Sequence, residues 1–312
     1  MGLDWTLSLA GLIVGVTVGL TGMGGGALMT PILVLLFKVQ PLAAVSSDLV
    51  AAFVMKPVGA GVHLRRGTVN KRLVGLLCIG SVPSAFVGVL LLRAFGDDSS
   101  IDDTLKLLLG WALLLAATTI LAKARVQKRS GAAPDADVND LVLRPAPTIA
   151  IGVLGGLIVG MTSVGSGSLM IVLLLLLYPS MTASRLVGSD LVQAIPLVGS
   201  AALGHVLFGD FHLDVAASLL IGAMPGVYVG ARWSASAPDR VIRPALVIVL
   251  AASGLKLVGV STQLVGAFLG ACLVLVLGLL ARSRLSARDV DHVGGGHGEV
   301  LEQPVLDVVD GP

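Results

Sequence analysis

The sequence predicts an all-α, polytopic membrane protein of two repeated helical halves, inverted with respect to each other, each with a glycine-broken helix pair. Three observations carry that expectation. The 312 residues are 55% hydrophobic and 13% charged, with a mean hydropathy of +0.95, where a soluble domain carries about 25% charged residues. Folded in water, a chain of this length would leave much of that apolar surface exposed. Apolar runs approaching the roughly 20 residues that cross a bilayer recur along the chain. One glycine-rich stretch occurs twice, on either side of a polar linker. A soluble enzyme, a nucleic-acid-binding module and a disordered chain are thereby excluded. The net charge of +2 gives no hint of a nucleic-acid partner.

The first half, residues 1–122, offers apolar segments at 5–20, 27–37, 48–62, 73–92 and 105–122. No basic region precedes the first of them, so it reads as a membrane segment and not as a cleaved signal peptide. Residues 123–147 are polar and read as a cytoplasmic linker. The second half, 148–281, offers segments at 148–161, 168–177, 191–206, 215–233 and 242–258, with a final helix at 264–281. The tail, 282–312, has the composition of a disordered cytoplasmic segment. Its His292 and His297 read as solvated residues. Cys78 and Cys272 lie in apolar runs and read as small hydrophobes. With no CxxC and no Cys/His cluster, neither a metal nor a cofactor is expected. Trp5, Trp111, Tyr178 and Trp233 read as interface anchors.

The halves repeat each other. Gly19 to Met29 aligns with Gly160 to Met170, with six of eleven positions identical. With one residue inserted, Ser47-Asp48-Leu49-Val50 matches Ser189-Asp190-Leu191-Val192 throughout. In that register His63 falls on His205, Gly80 on Gly222, Pro83 on Pro225 and Gly88 on Gly230. The loop after His63 holds Arg65, Arg66, Lys71 and Arg72, whereas its counterpart, 206–214, has no Lys or Arg. The positive-inside rule puts the first loop in the cytoplasm and the second outside. The linker and the tail, with their basic residues near membrane ends, fall inside, and the acidic stretch 97–103 falls outside as a loop. Equivalent loops on opposite sides predict the inverted repeat of many secondary transporters.

Two glycine breaks stand out. They are Thr21-Gly22-Met23-Gly24-Gly25-Gly26 and Thr162-Ser163-Val164-Gly165-Ser166-Gly167. Each glycine in a helix interior costs about 1 kcal/mol relative to alanine, so four in six residues predict a broken helix. In lipid the freed backbone groups must meet protein, water or ligand. The helices restarting at Ala27 and Ser168 would point N–H groups at the break, which favours an anion. Thr21, Thr162, Ser163, Ser166 and Ser168 add hydroxyl donors. Close packing of helices through small residues explains the same glycines without a ligand.

Lys56 lies mid-segment beside Pro57, and its repeat counterpart is Val198. A lysine at such depth costs about 2.5 kcal/mol or more and points to function; snorkelling to an interface is the alternative. Lys56 and His63 are seven residues apart and share a helical face. His63 and His205 are candidate carriers of a coupling proton, or interfacial residues at helix ends. Asp48 and Asp190 are further coupling candidates, although N-capping explains a Ser-Asp pair where a helix starts. Gln193 and Pro196 are the remaining marks near depth.

The glycine-rich break, Pro31 after it, the Ser47-Asp48-Leu49 segment and their weaker recurrence resemble the sulfite exporter TauE/SafE family of membrane transporters. The resemblance covers roughly residues 8 to 280. It implies transport of a sulfur-containing anion, such as sulfite or an organosulfonate, across the bacterial plasma membrane. Ser163 and Ser166 stand where the first half has Gly22 and Gly25, which either tunes the ligand or only changes packing. The expected partners are therefore a small anionic substrate and the lipid bilayer; the sequence sets no oligomeric state. No GxxxxGK[ST] nucleotide motif occurs, so any driving energy comes from gradients or a separate subunit. Another inverted-repeat exporter of a small metabolite is the alternative. An intramembrane enzyme fits poorly, because the only adjacent acid pairs, Asp97-Asp98 and Asp102-Asp103, lie in the expected external loop.

Overall fold

Glycines, prolines and short polar turns cut the apolar sequence into helices of two lengths. The computed structural model describes residues 5–21, 26–94, 98–129, 143–179, 181, 183–208, 212–233 and 239–272. Its main helices are α1 (Trp5–Thr21), α2 (Gly26–Leu35), α3 (Pro41–Arg65), α4 (Lys71–Ala94), α5 (Asp98–Arg129), α6 (Pro145–Thr162), α7 (Leu169–Leu177), α8 (Ala183–Phe208), α9 (Leu213–Trp233) and α10 (Asp239–Leu257). These belong to one compact unit, Met1–Val265. The second unit, Gly266–Pro312, is described only as far as Cys272. The described residues contain no strand.

Six of the described helices are long and apolar enough to cross a membrane. They are α3, α4, α6, α8 and α9, each wholly or in large part, and the Asp102–Ala122 portion of α5. By contrast α2 has 10 residues and α7 has 9. At 1.5 Å per residue each reaches about half the hydrocarbon core. Large apolar side chains such as Ile79, Leu154, Leu176 and Leu203 face outward, as expected where lipid is the solvent.

Helix starts follow local chemistry. Pro41 and Pro145 occupy first-turn positions of α3 and α6, where the missing N–H costs nothing. The Asn70 side chain accepts the Leu73 N–H at 3.0 Å and caps α4. Four expectations are corrected. Asp48 and Asp190 do not start helices: α3 begins at Pro41 and α8 at Ala183, because the preceding Leu-Ala-Ala-Val and Ser-Arg-Leu-Val runs propagate helix upstream. The polar stretch from residue 123 begins as helix, since Ala, Lys, Gln and Arg are strong helix formers and α5 continues to Arg129. Within the acidic stretch, residues 98–103 open α5 instead of forming a loop. Tyr178 is buried, with its hydroxyl bonded to the Arg144 N–H at 2.9 Å and to Thr148 Oγ1 at 2.6 Å; Trp111 is exposed near the middle of the α5 span. Neither is an interface anchor.

The halves are interlocked. α1 packs on α9, α6 packs on α4, α3 packs on α8 and α5 packs on α10. The first two contacts are counterparts under the repeat, and they agree residue by residue. A Cβ at Gly11 of α1 would strike the Leu219 carbonyl of α9; its counterpart Gly152 of α6 meets the Leu77 carbonyl of α4. Gly222 of α9 abuts the Ser8 carbonyl, and its counterpart Gly80 abuts that of Ile149. Gly230 and Gly88 repeat the pattern against Val16 and Leu157. Absent side chains let these backbones approach, as in other small-residue membrane contacts. Part of the glycine content therefore serves packing, whereas the glycines of the second break do something else.

Candidate functional site

α6 ends at Thr162 and α7 starts at Leu169, leaving six residues, 163–168, outside both helices. All six are buried. Ser163 takes a left-handed conformation with φ 59, and its N–H closes α6 on the Val159 carbonyl at 2.7 Å. Gly165 and Gly167 have φ 121 and φ 100, values that glycine alone adopts readily. Thr162 Oγ1 donates to the Ile158 carbonyl and accepts the Val164 N–H at 3.2 Å. The expected second break is thus present, and its irregular backbone lies where a membrane protein tolerates it, inside protein.

In the first half, α1 stops at Thr21 and α2 begins at Gly26. Gly22, Gly24 and Gly25 lie outside the described residues, as do the side-chain surroundings of Thr21 and Gly26.

Lys56 reaches the second break. It lies in the interior of α3, only 6% exposed, and its Nζ donates to Ser166 Oγ at 3.1 Å. It does not snorkel. Helical side chains lean toward the N-terminus, which tilts the ammonium back along α3 toward Asp48. Asp48 and, from α8, Asp190 lie within electrostatic reach of it. Asp48 is fully buried, and its Oδ2 accepts the Thr30 hydroxyl of α2 at 2.6 Å. Ser163 approaches the same carboxyl, although its Oγ does not complete a hydrogen bond. Five buried side-chain oxygens in this region have no hydrogen-bond partner among the described residues: Ser47 Oγ, Asp48 Oδ1, Ser163 Oγ, Ser168 Oγ and Gln193 Oε1. Gln193 spends its amide on Ser81 Oγ at 2.6 Å. Buried polar groups are ordinarily satisfied, so these oxygens could accept hydrogen bonds from water or a polar ligand.

The histidines sit elsewhere. His205 is fully buried, with Nε2 donating to the Gly160 carbonyl at 2.8 Å and Nδ1 3.0 Å from Ser46 Oγ. It ties α8 to α6 and α3 and is not interfacial. His63, half-buried, bonds Thr68 Oγ1 at 2.9 Å and does not join Lys56. Thr30 belongs to the Asp48 cluster without any signal in the sequence, since one threonine in an apolar helix has no pattern and its repeat counterpart is Ile171.

The sequence model of the family described as Sulfite exporter TauE/SafE matches residues 7–257. The chain belongs to the TauE/SafE sulfite exporter family. It is similar to the probable membrane transporter protein YjnA of Bacillus subtilis (strain 168), with 38% identity over 255 residues, covering 81% of this chain and 99% of that protein. It is also similar to YdhB and YunE of the same organism, both called probable membrane transporter proteins. Identities are 26% over 78% of this chain and 24% over 81%, each covering 96% of the relative. No solved structure matches. This TauE/SafE family member is thus a multi-pass membrane transporter, and the family match spans α1 to α10, including both breaks.

Proposed function

We propose that the chain is a secondary transporter, not an enzyme, that moves a sulfur-containing anion across the plasma membrane: sulfite, a sulfonate or a related organosulfur compound. One observation carries the reading. The buried Lys56 ammonium of the first half meets Ser166 in the break of the second half, beside the start of α7. A fixed cation, free hydroxyls and a helix N-terminus together suit an oxyanion. The family description supports the sulfur assignment. The exchange-related packing of α1 on α9 and α6 on α4 supports two repeated halves, 1–122 and 148–281. With the charge bias of the loops, it favours an inverted arrangement, with the linker and tail cytoplasmic. Rocking of one half against the other would then expose the site alternately.

The test is uptake of labelled sulfite and of small sulfonates into vesicles carrying the protein or its Lys56→Gln variant. Flux is expected with the unaltered protein, and clearly less of it with the variant. If another small metabolite moves while no sulfur anion does, the substrate assignment is lost and the carrier reading survives.

A further inference from the structure

From the charge count at this site we infer that a proton, taken up at Asp48, accompanies each anion; the inference rests on the anion reading above. Lys56 contributes one positive charge, and Asp48 and Asp190 lie within its electrostatic reach. With Asp48 ionised its charge already offsets that of Lys56, and an arriving monoanion would add a negative charge with no cation left to balance it, out of water. Burying uncompensated charge is strongly unfavourable. One proton taken up with one monoanion holds the charge of the site constant on loading, and the pair leaves together on the other side.

Geometry selects Asp48. Its Oδ2 is held by Thr30, while Oδ1 is buried with no hydrogen-bond partner among the described residues. That oxygen is open to a proton, and Ser163, the first residue of the break, lies beside the carboxyl. Protonated, Asp48 becomes a donor facing the anion position in place of a charge that repels it. Other ionisable groups on elements packed against α3 are few. α2 has none, and α8 contributes Arg185 in its first turn, Asp190 and His205, the last engaged by Gly160 and Ser46. α9 holds Asp214 and Arg232 near its ends and an exposed Tyr228, and α5 carries its charges toward its ends. A proton fits better than a metal cation. Asp48 lies inside the continuous helix α3, where Pro57 frees a carbonyl only beyond the turn that carries Asp48, and the described residues contain no cluster of three or more His, Cys, Asp or Glu able to hold a metal.

The experiment is proton uptake on binding, read with a pH dye in weakly buffered, sodium-free solution of the purified full-length protein. The probe is methanesulfonate, a strong-acid anion that carries no proton of its own. Close to one proton per bound anion is expected. Affinity should then rise about tenfold for each unit by which pH falls, over the range where Asp48 is ionised in the empty protein. Asp48→Asn should bind with no uptake and no such pH dependence. Binding by the unaltered protein without uptake overturns the inference, as does binding that requires sodium, or uptake that persists in Asp48→Asn. Should no sulfonate or sulfite bind, infrared difference spectra of the ligand-free protein between about pH 9 and about pH 5, the span buried carboxyls reach, still decide. A protonated-carboxyl band that vanishes in Asp48→Asn keeps the proton site and discards only the sulfur substrate; its absence from the unaltered protein discards the proton site.

Discussion

Ser46 Oγ on α3 lies 3.0 Å from His205 Nδ1 on α8, and the repeat counterpart of Ser46 is Gly188, where a Cβ would press on His63 and Thr68. One histidine therefore binds across the halves, and the other turns to its own loop. Gly160 lies in the last turn of α6, where carbonyls lack helical partners, so His205 Nε2–H serves as a cap from another helix. His205→Ala should destabilise the protein by about 1–3 kcal/mol, the penalty of leaving a buried acceptor unpaired. Ser46→Ala should lose less, and His205→Gln should recover part of the loss. Thermal unfolding in detergent checks the order; an unchanged midpoint for His205→Ala would remove its capping role.

Replacing Lys56 should separate charge from bulk. A hydrogen bond to a charged group contributes about 1.5–3 kcal/mol, so Lys56→Ala and Lys56→Gln should lose roughly tenfold or more in anion affinity. Lys56→Arg should lose less. Equal, near-normal transport by all three at matched membrane expression would leave Lys56 with a purely structural role.

Gly165 tests conformation apart from space. Its φ is 121, while the nearest atoms to a Cβ there are 3.6 Å away, an ordinary contact. Alanine should therefore be nearly as harmful as valine, at about 1–3 kcal/mol of backbone strain. Gly75→Ala, in a helix with open space around the position, should stabilise by about 0.5–1 kcal/mol. Comparable unfolding midpoints for Gly165→Ala and the unaltered protein would show that the break tolerates a side chain.

The glycine seams should fail by crowding, and in both halves alike. Gly222→Val and its counterpart Gly80→Val would each drive a side chain into backbone of the facing helix. Overpacking of this kind costs about 1–3 kcal/mol or more. Thermal unfolding of the two variants should show similar losses; a large loss in one and none in the other would mean that only one seam is tight.

Loop sides can be read chemically. Arg66 and Asp214 are exposed, whereas Asn70 in the same first loop is buried and caps a helix. In a variant lacking Cys78 and Cys272, Asp214→Cys should react with an impermeant thiol reagent from outside intact cells, and Arg66→Cys should not. Reaction at both or neither would defeat the inverted reading, and reaction at Arg66→Cys alone would reverse the sides.

Hydropathy was enough to expect the helices, and the match of residues 160–170 to the glycine-rich stretch of the first half was what pointed to a break between α6 and α7, where two glycines alone are a weak sign. The Ser-Asp pairs misled because a serine and an aspartate ahead of an apolar run look like a cap, whereas both carboxyls belong to helix interiors facing Lys56. Lys56 was conspicuous as a lone charge, but its partner Ser166 is 110 residues away, and no local pattern links them. Thr30 and Ser46 were invisible for a related reason: one hydroxyl in an apolar helix gains meaning only when another helix arrives. The seam glycines were ambiguous until the facing carbonyls were known.

The packing of α1 on α9 has a consequence for how the protein is made. α1 leaves the ribosome early, yet the helix that covers its glycine face starts only at Leu213. At typical synthesis rates that wait is on the order of tens of seconds, during which Gly11 faces lipid or an insertion factor. α6, by contrast, finds α4 already in place. The second half thus assembles onto the first as it emerges, while the earliest helix is the last of the two to be locked. A chain stopped before α9 would leave α1 without its mate, and supplying the missing half as a separate polypeptide would restore the pair.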